Sequence, residues 1–126
     1  MIYDNREWKD LVGKTIAAVT LHPNRERLVI EFTDGTTATG TTFADCCSET
    51  WIDDLTVPVD AVGAEVLRYA ESEEVPQDCP SKNPPAWTDQ VQVYNSSIVT
   101  SRGEIIIDYR NSSNGYYGGS LDWSIR

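Results

Sequence analysis

The sequence predicts an α+β fold, mainly antiparallel β-sheet with two or three short helices, in a single domain spanning residues 1–126. Three observations predict it. Short runs of β-branched and aromatic residues alternate with turns rich in Gly, Asn and Asp, the pattern of hairpin-connected strands. Two segments flanked by acids, Asp4 to Leu11 and Asp45 to Asp54, read as short helices. The composition, 40% hydrophobic and 24% charged, is that of an ordinary globular chain.

Taken in order, Asp4 can cap the first helix, with Glu7 three residues on to complete a capping box. Trp8, Leu11 and Val12 share one face, and Gly13 ends it. Lys14 to Leu21 reads as a strand and His22-Pro23-Asn24-Arg25 as a turn. Arg27 to Thr33 is the second strand, Asp34-Gly35 a two-residue hairpin signal, and Thr36 to Phe43 the third strand. Asp45 to Asp54, holding Cys46, Cys47, Trp51 and Ile52, reads as a helix packed on the sheet. Thr56-Val57-Pro58-Val59 breaks it.

A second pass then opens. Val62-Gly63-Ala64-Glu65-Val66 echoes Val12-Gly13-Lys14-Thr15-Ile16, and Ile98 to Ile106 echoes Val29 to Thr37. Each half runs Val-Gly, strand, loop, strand, tight Gly turn, strand. Internal duplication of a β-meander is one reading, and chance likeness between meanders is the other. The halves differ most in the segment Glu71 to Asp89, whose four prolines exclude helix and central strand. A loop of that length is either functional or disordered. Trp87, just before the strand Gln90 to Thr100, argues that it is pinned, and a lid over a pocket is the expected role.

Ten basic residues against twenty acidic ones leave a net charge of −10. A field of that sign repels duplex nucleic acid, though it leaves room for a small phosphate ligand held by local arginines. No apolar run approaches the roughly 20 residues that span a bilayer. The acids of the first seven residues are unlike an export signal. No membrane association and a cytoplasmic location are expected. Three cysteines, Cys46, Cys47 and Cys79, and a single histidine, His22, lack the spacing of a zinc site, so no metal and no cofactor is expected. No Ser-His-Asp or Cys-His pairing is legible, and Gly115 to Gly119 lacks the lysine of a Walker loop.

The run Tyr109-Arg110-Asn111-Ser112-Ser113-Asn114-Gly115-Tyr116-Tyr117-Gly118-Gly119-Ser120-Leu121 is the richest in chemistry. Asn114-Gly115 supplies a tight turn, Tyr116-Tyr117 two rings beside it, and Gly118-Gly119 room for close approach. Arg110 can face a phosphate or a carboxylate. The run fits a nucleotide pocket; it equally fits a decorated hairpin whose arginine pairs with Asp108 or Asp122.

The order of Gly13-Lys14, Asp45-Cys-Cys-Ser-Glu-Thr-Trp-Ile52, Val62-Gly-Ala-Glu-Val66 and Arg110-Asn-Ser-Ser-Asn-Gly-Tyr-Tyr-Gly-Gly-Ser-Leu121 resembles the phage-encoded Thoeris anti-defence sponge family, from about Leu11 to Ser124. The resemblance implies a non-catalytic protein that sequesters cyclic ADP-ribose isomers, and in some members cyclic oligonucleotides at a separate site between subunits. It implies a homo-oligomer, a dimer or a hexamer, acting in the cytoplasm of the infected bacterial host. By the same resemblance, Arg110 binds ligand phosphate with Arg27 as a second arginine. Trp87 is the available ring for base stacking and Asn95 a nearby amide, with Asn114 and Tyr116 supplied by the motif. A signal-degrading enzyme and a protein-binding inhibitor or structural phage domain are the rival classes.

Overall fold

The computed structural model describes residues 7–44, 48–75, 81–84, 90–113 and 118–126. A single 3-10 turn, Trp8–Leu11, is followed by β1 (Ile16–Leu21), β2 (Arg27–Phe32), β3 (Thr37–Ala44) and β4 (Glu49–Thr56). Then come β5 (Val66–Val75), β6 (Gln90–Thr100), β7 (Gly103–Ser113) and β8 (Gly119–Ile125). Two antiparallel sheets result, ordered β1-β2-β3-β8 and β4-β7-β6-β5.

This corrects the α+β expectation: the described residues hold no α-helix, and the fold is all-β. The expected first helix shrinks to four residues. Its N-cap is Glu7, whose backbone N–H donates to Asp10 Oδ2 at 2.9 Å, so the capping box sits three residues later than expected. The chain leaves the turn at Val12 in extended conformation because Gly13 and Ile16 are claimed by a strand-like pairing. The expected second helix is a strand over Glu49–Asp54, while Asp45, Cys46 and Cys47 lie outside the described residues. Thr50 and Ile52 face inward, and Trp51 pairs with Arg110 of β7 on the other face. Two β-branched residues and a tryptophan suit a pleated surface, and the unpaired edge of β7 decides between the alternatives. Glu71 to Val75, expected as loop, extends β5, an edge strand of the second sheet.

The sheets share one core. Leu28, Ile30, Phe32, Leu121 and Ile125 from the first meet Ile52, Val66, Ile98, Ile105 and Ile107 from the second, all buried. Alternation along β2, with Leu28, Ile30 and Phe32 inward, makes Arg27, Val29 and Glu31 the outer face.

The halves are joined where they echo one another. Gly13 N–H donates to Val66 O at 2.8 Å and Gly63 N–H to Ile16 O at 2.8 Å. Ile16 N–H donates to Ala64 O and Val66 N–H to Lys14 O, both at 2.9 Å, around a bridge between Thr15 and Glu65. The four bonds interchange when residues fifty apart are exchanged, which is a local two-fold relation. The likeness extends outward: both first strands carry an irregularity at the same place, between Ile16 and Ala18 and between Val66 and Arg68. Each half contributes a three-stranded meander to one sheet, and its fourth strand, β4 or β8, completes the other half's sheet.

Gly13 and Gly63 occupy left-handed conformations, φ 91° and 94°, at equivalent positions of this junction. Gly13→Ala and Gly63→Ala are each expected to cost about 1–2 kcal/mol. Urea unfolding should show this as a lower midpoint with an unchanged slope.

Candidate functional site

Arg110 is held on the outward face of the second sheet, yet it is only 4% exposed. Its Nε and Nη2 donate to the two carboxylate oxygens of Asp108, each at 3.0 Å, and Nη1 donates to Ser81 Oγ at 3.2 Å. Asp53 Oδ2 lies 3.5 Å from Nε. Of the two carboxylate partners open in the sequence, Asp108 and Asp122, Asp108 is the one Arg110 takes.

Asp53 is the centre of a clamp. It sits at the irregularity between Ile52 and Asp54, where β4 departs from its ladder with β7. Its carboxylate accepts the backbone N–H of Lys82 and of Asn83, each at 2.9 Å, and the Trp51 indole N–H at 3.0 Å. Its carbonyl accepts from Asn83 Nδ2 at 2.8 Å and from Arg25 Nη2 at 2.7 Å. Residues 81–84 are thus strapped to the sheet, while Cys79 and Trp87 lie outside the described residues. Burial opposes the charge of Asp53. The N–H groups of Lys82 and Asn83, the Trp51 indole and the Arg110 guanidinium outweigh it and hold the carboxyl below the ordinary carboxylate range.

The other residues singled out from the sequence are dispersed. Arg27 is exposed at the start of β2, on the outer face of the first sheet, whereas Arg110 is on the second. Asn95, on β6, pairs with Asp108 of β7 and lines a shallow hollow of about 190 Å³ whose other walls include Glu71, Glu73 and Glu104. That hollow is acidic and poorly suited to a phosphate. Asn114 and Tyr116 lie outside the described residues.

A larger concavity opens where β5 and β8, the edge strands of the two sheets, face one another. It measures about 700 Å³, within the range of small-molecule sites. Three aromatic side chains form one wall: Trp8 stacks on Tyr69 with centroids 4.9 Å apart, and Trp123 meets Trp8 edge-on at 4.9 Å. Trp123 Nε1 donates to Tyr69 Oη at 3.0 Å, which fixes both rings. Trp123 fits because it lies over Gly40, where a Cβ would stand 2.9 Å from the indole. Tyr109 lines the floor, stacked on Tyr94 at 5.2 Å, and burial raises its phenol pKa so that it stays protonated at neutral pH. Arg68, Lys9 and Glu71 stand among the lining residues. Lys9 is 3.5 Å from Glu7, whereas Arg68 has no ion-pair partner among the described residues. Trp8 Nε1 is buried without an acceptor among the described residues.

None of the residues chosen from the sequence as site residues is among the described residues lining this cleft. Its rings come from positions 8, 69 and 123, far apart in the chain and in no motif. A signal was present: aligning the echoed halves sets Tyr69 against Val19 and Trp8 against Pro58, so the departures from the repeat mark the cleft.

The class defined here is an all-β protein of two four-stranded antiparallel sheets with an aromatic, mixed-charge cleft at one seam. Residues 9–123 match a domain of unknown function, DUF7448, and the chain belongs to that family. Neither a curated protein nor a solved structure matches it.

Arg110→Ala leaves Asp53 and Asp108 buried or half-buried without their cation, and is expected to cost about 3 kcal/mol or more. Arg110→Lys should recover little, since an ammonium cannot span both oxygens of Asp108. Thermal unfolding of the two variants checks this.

The clamp also predicts acid sensitivity. Because the folded-state pKa of Asp53 is depressed, its contribution is complete above the unfolded value of about 4 and is lost as pH falls from there through the folded value. Asp53→Asn should flatten this part of the stability profile below about pH 4. An acid limb equally steep in wild type and variant would refute the assignment.

Proposed function

We propose that this protein is a non-catalytic binder that sequesters a cyclic nucleotide immune signal and so blocks Thoeris or CBASS effector activation. The ligand is a cyclic ADP-ribose isomer such as glyco-cyclic ADP-ribose, or a cyclic di- or trinucleotide. The observation that carries this reading is the cleft between β5 and β8, which combines aromatic rings, hydroxyls and an arginine unpaired among the described residues. Rings stack on a base, worth about 1–3 kcal/mol per base, and a guanidinium pairs with a phosphate. The resemblance of the Asp45 to Ile52 and Arg110 to Leu121 motifs to the sponge family supports the same class. With a net charge of −10, an anionic ligand must be held by local cations rather than by the overall field. The protein acts as a homo-oligomer in the infected bacterial cytoplasm.

To empty a signalling pool the dissociation constant must be nanomolar, about −12 kcal/mol. Calorimetry with a panel of cyclic nucleotides should find one bound at that affinity. Heat denaturation of the complex should then return it chemically unchanged. Recovery of an altered nucleotide would make the protein a signal-degrading enzyme, and the absence of uptake across the panel would favour a protein-binding inhibitor.

A further inference from the structure

The internal two-fold relation gives the fold two equivalent seams, one between β5 and β8 and one between β1 and β4. Their residues can be matched through the strand registers. Tyr69 faces Ile98 as Val19 faces Ile30. Trp123 pairs with Gly40 as Leu55 pairs with Ile107, Gly40 and Ile107 being equivalent positions of β3 and β7. Trp8 precedes Gly13 by the same five residues as Pro58 precedes Gly63, and Arg68 follows its irregularity as Ala18 follows the other. At the β1/β4 seam a valine, a leucine and an alanine therefore stand where the other has a tyrosine, a tryptophan and an arginine, and Pro58, in the position of Trp8, packs on Gly103 at the β6–β7 turn. Val19 and Leu55 pack against the common core.

The scaffold thus closes one seam with small aliphatic groups. It does not need rings and a cation to close the other. We propose that the β5/β8 seam is a ligand site and the β1/β4 seam is not, so that each chain takes one ligand: a planar heterocycle carrying an anionic group and hydroxyl or amine donors. The inference rests on the functional reading above and gives it a place and a stoichiometry. Arg68, without a partner among the described residues, meets the anionic group. Glu71, which also lines the cleft, accepts from hydroxyl or amine hydrogens. Trp8 is 93% buried, and its Nε1–H has no acceptor among the described residues, a costly state for an indole that only packs. A carbonyl oxygen or ring nitrogen of the bound heterocycle supplies that acceptor. A simple organic anion would leave the rings unused, and a neutral base would leave Arg68 unused.

The test titrates the full chain with cyclic ADP-ribose and, separately, with ADP, read by calorimetry and tryptophan fluorescence. At least one of the two should bind with one ligand per chain and change the tryptophan signal. Arg68→Ala should weaken it tenfold or more. Trp8→Phe keeps a stacking ring but removes the N–H donor and trims a buried ring, so it should weaken binding about tenfold and also lower the thermal midpoint. Ala18→Ser, at the position matching Arg68, should leave affinity as in wild type. Two ligands per chain, or wild-type affinity in both Arg68→Ala and Trp8→Phe, overturns the seam assignment while leaving nucleotide binding intact. Binding of neither nucleotide, nor of any in the cyclic panel, refutes the functional reading and this inference with it.

Discussion

The pairing of Gly13–Ile16 with Gly63–Val66 is the constraint on which the rest of the molecule depends. Four backbone hydrogen bonds tie the entry of β1 to the entry of β5, and both glycines are in conformations that other residues resist. Each bond is worth only about 1 kcal/mol net, but a buried N–H left without its carbonyl costs more than that. The junction also fixes orientation. It sets the two meanders in a two-fold relation, places the Trp8–Leu11 turn against β5, and leaves the β5/β8 and β1/β4 seams as the places where the sandwich can close or open.

The exchange of fourth strands makes the two halves one cooperative unit. β4 pairs with β7 and β8 with β3, so each sheet needs a strand from the other half. Gly119 shows how tight the closure is: a Cβ there would strike Thr50 Oγ1, and Asn111 lies beside it, its Nδ2 donating to Thr50 at 2.9 Å. Such non-local pairing pays chain-closure entropy before its contacts form, which slows folding relative to a simple meander.

Charge is used in two different ways on the two flanks of the second sheet. On the outer face, Arg110, Asp53 and Asp108 neutralise one another and fasten residues 81–84. A buried pair of this kind contributes position more than net stability, because desolvation offsets much of the Coulomb gain. At the β5/β8 cleft the charges are only partly matched, since Lys9 has Glu7 beside it while Arg68 has no such partner among the described residues. An arginine saturated from within is a fastening; one left unmatched beside aromatic rings can take a ligand.

The sequence by itself determined the local pieces. The β2–β3 hairpin is legible because Asp34-Gly35 sits between alternating apolar residues, and Gly35 takes φ 88°. The strand Gln90–Thr100 was legible in its bounds, and the repeated Val-Gly segments marked the junction. What tertiary structure alone decided was partnership. Glu49–Asp54 became a strand because β7 offered an edge, and an acid-flanked stretch with one tryptophan and one isoleucine does not announce that edge. Arg110 was visible as chemically able, yet whether its fork met a phosphate or Asp108 depended on a residue two positions away on the same face. Trp8, Tyr69 and Trp123 carry no motif, and only the facing of β5 and β8 across the two sheets, with the turn held against β5, brings them into contact. Local patterns report a residue's preferences for backbone and burial; which distant side chain it meets follows from how the sheets are joined.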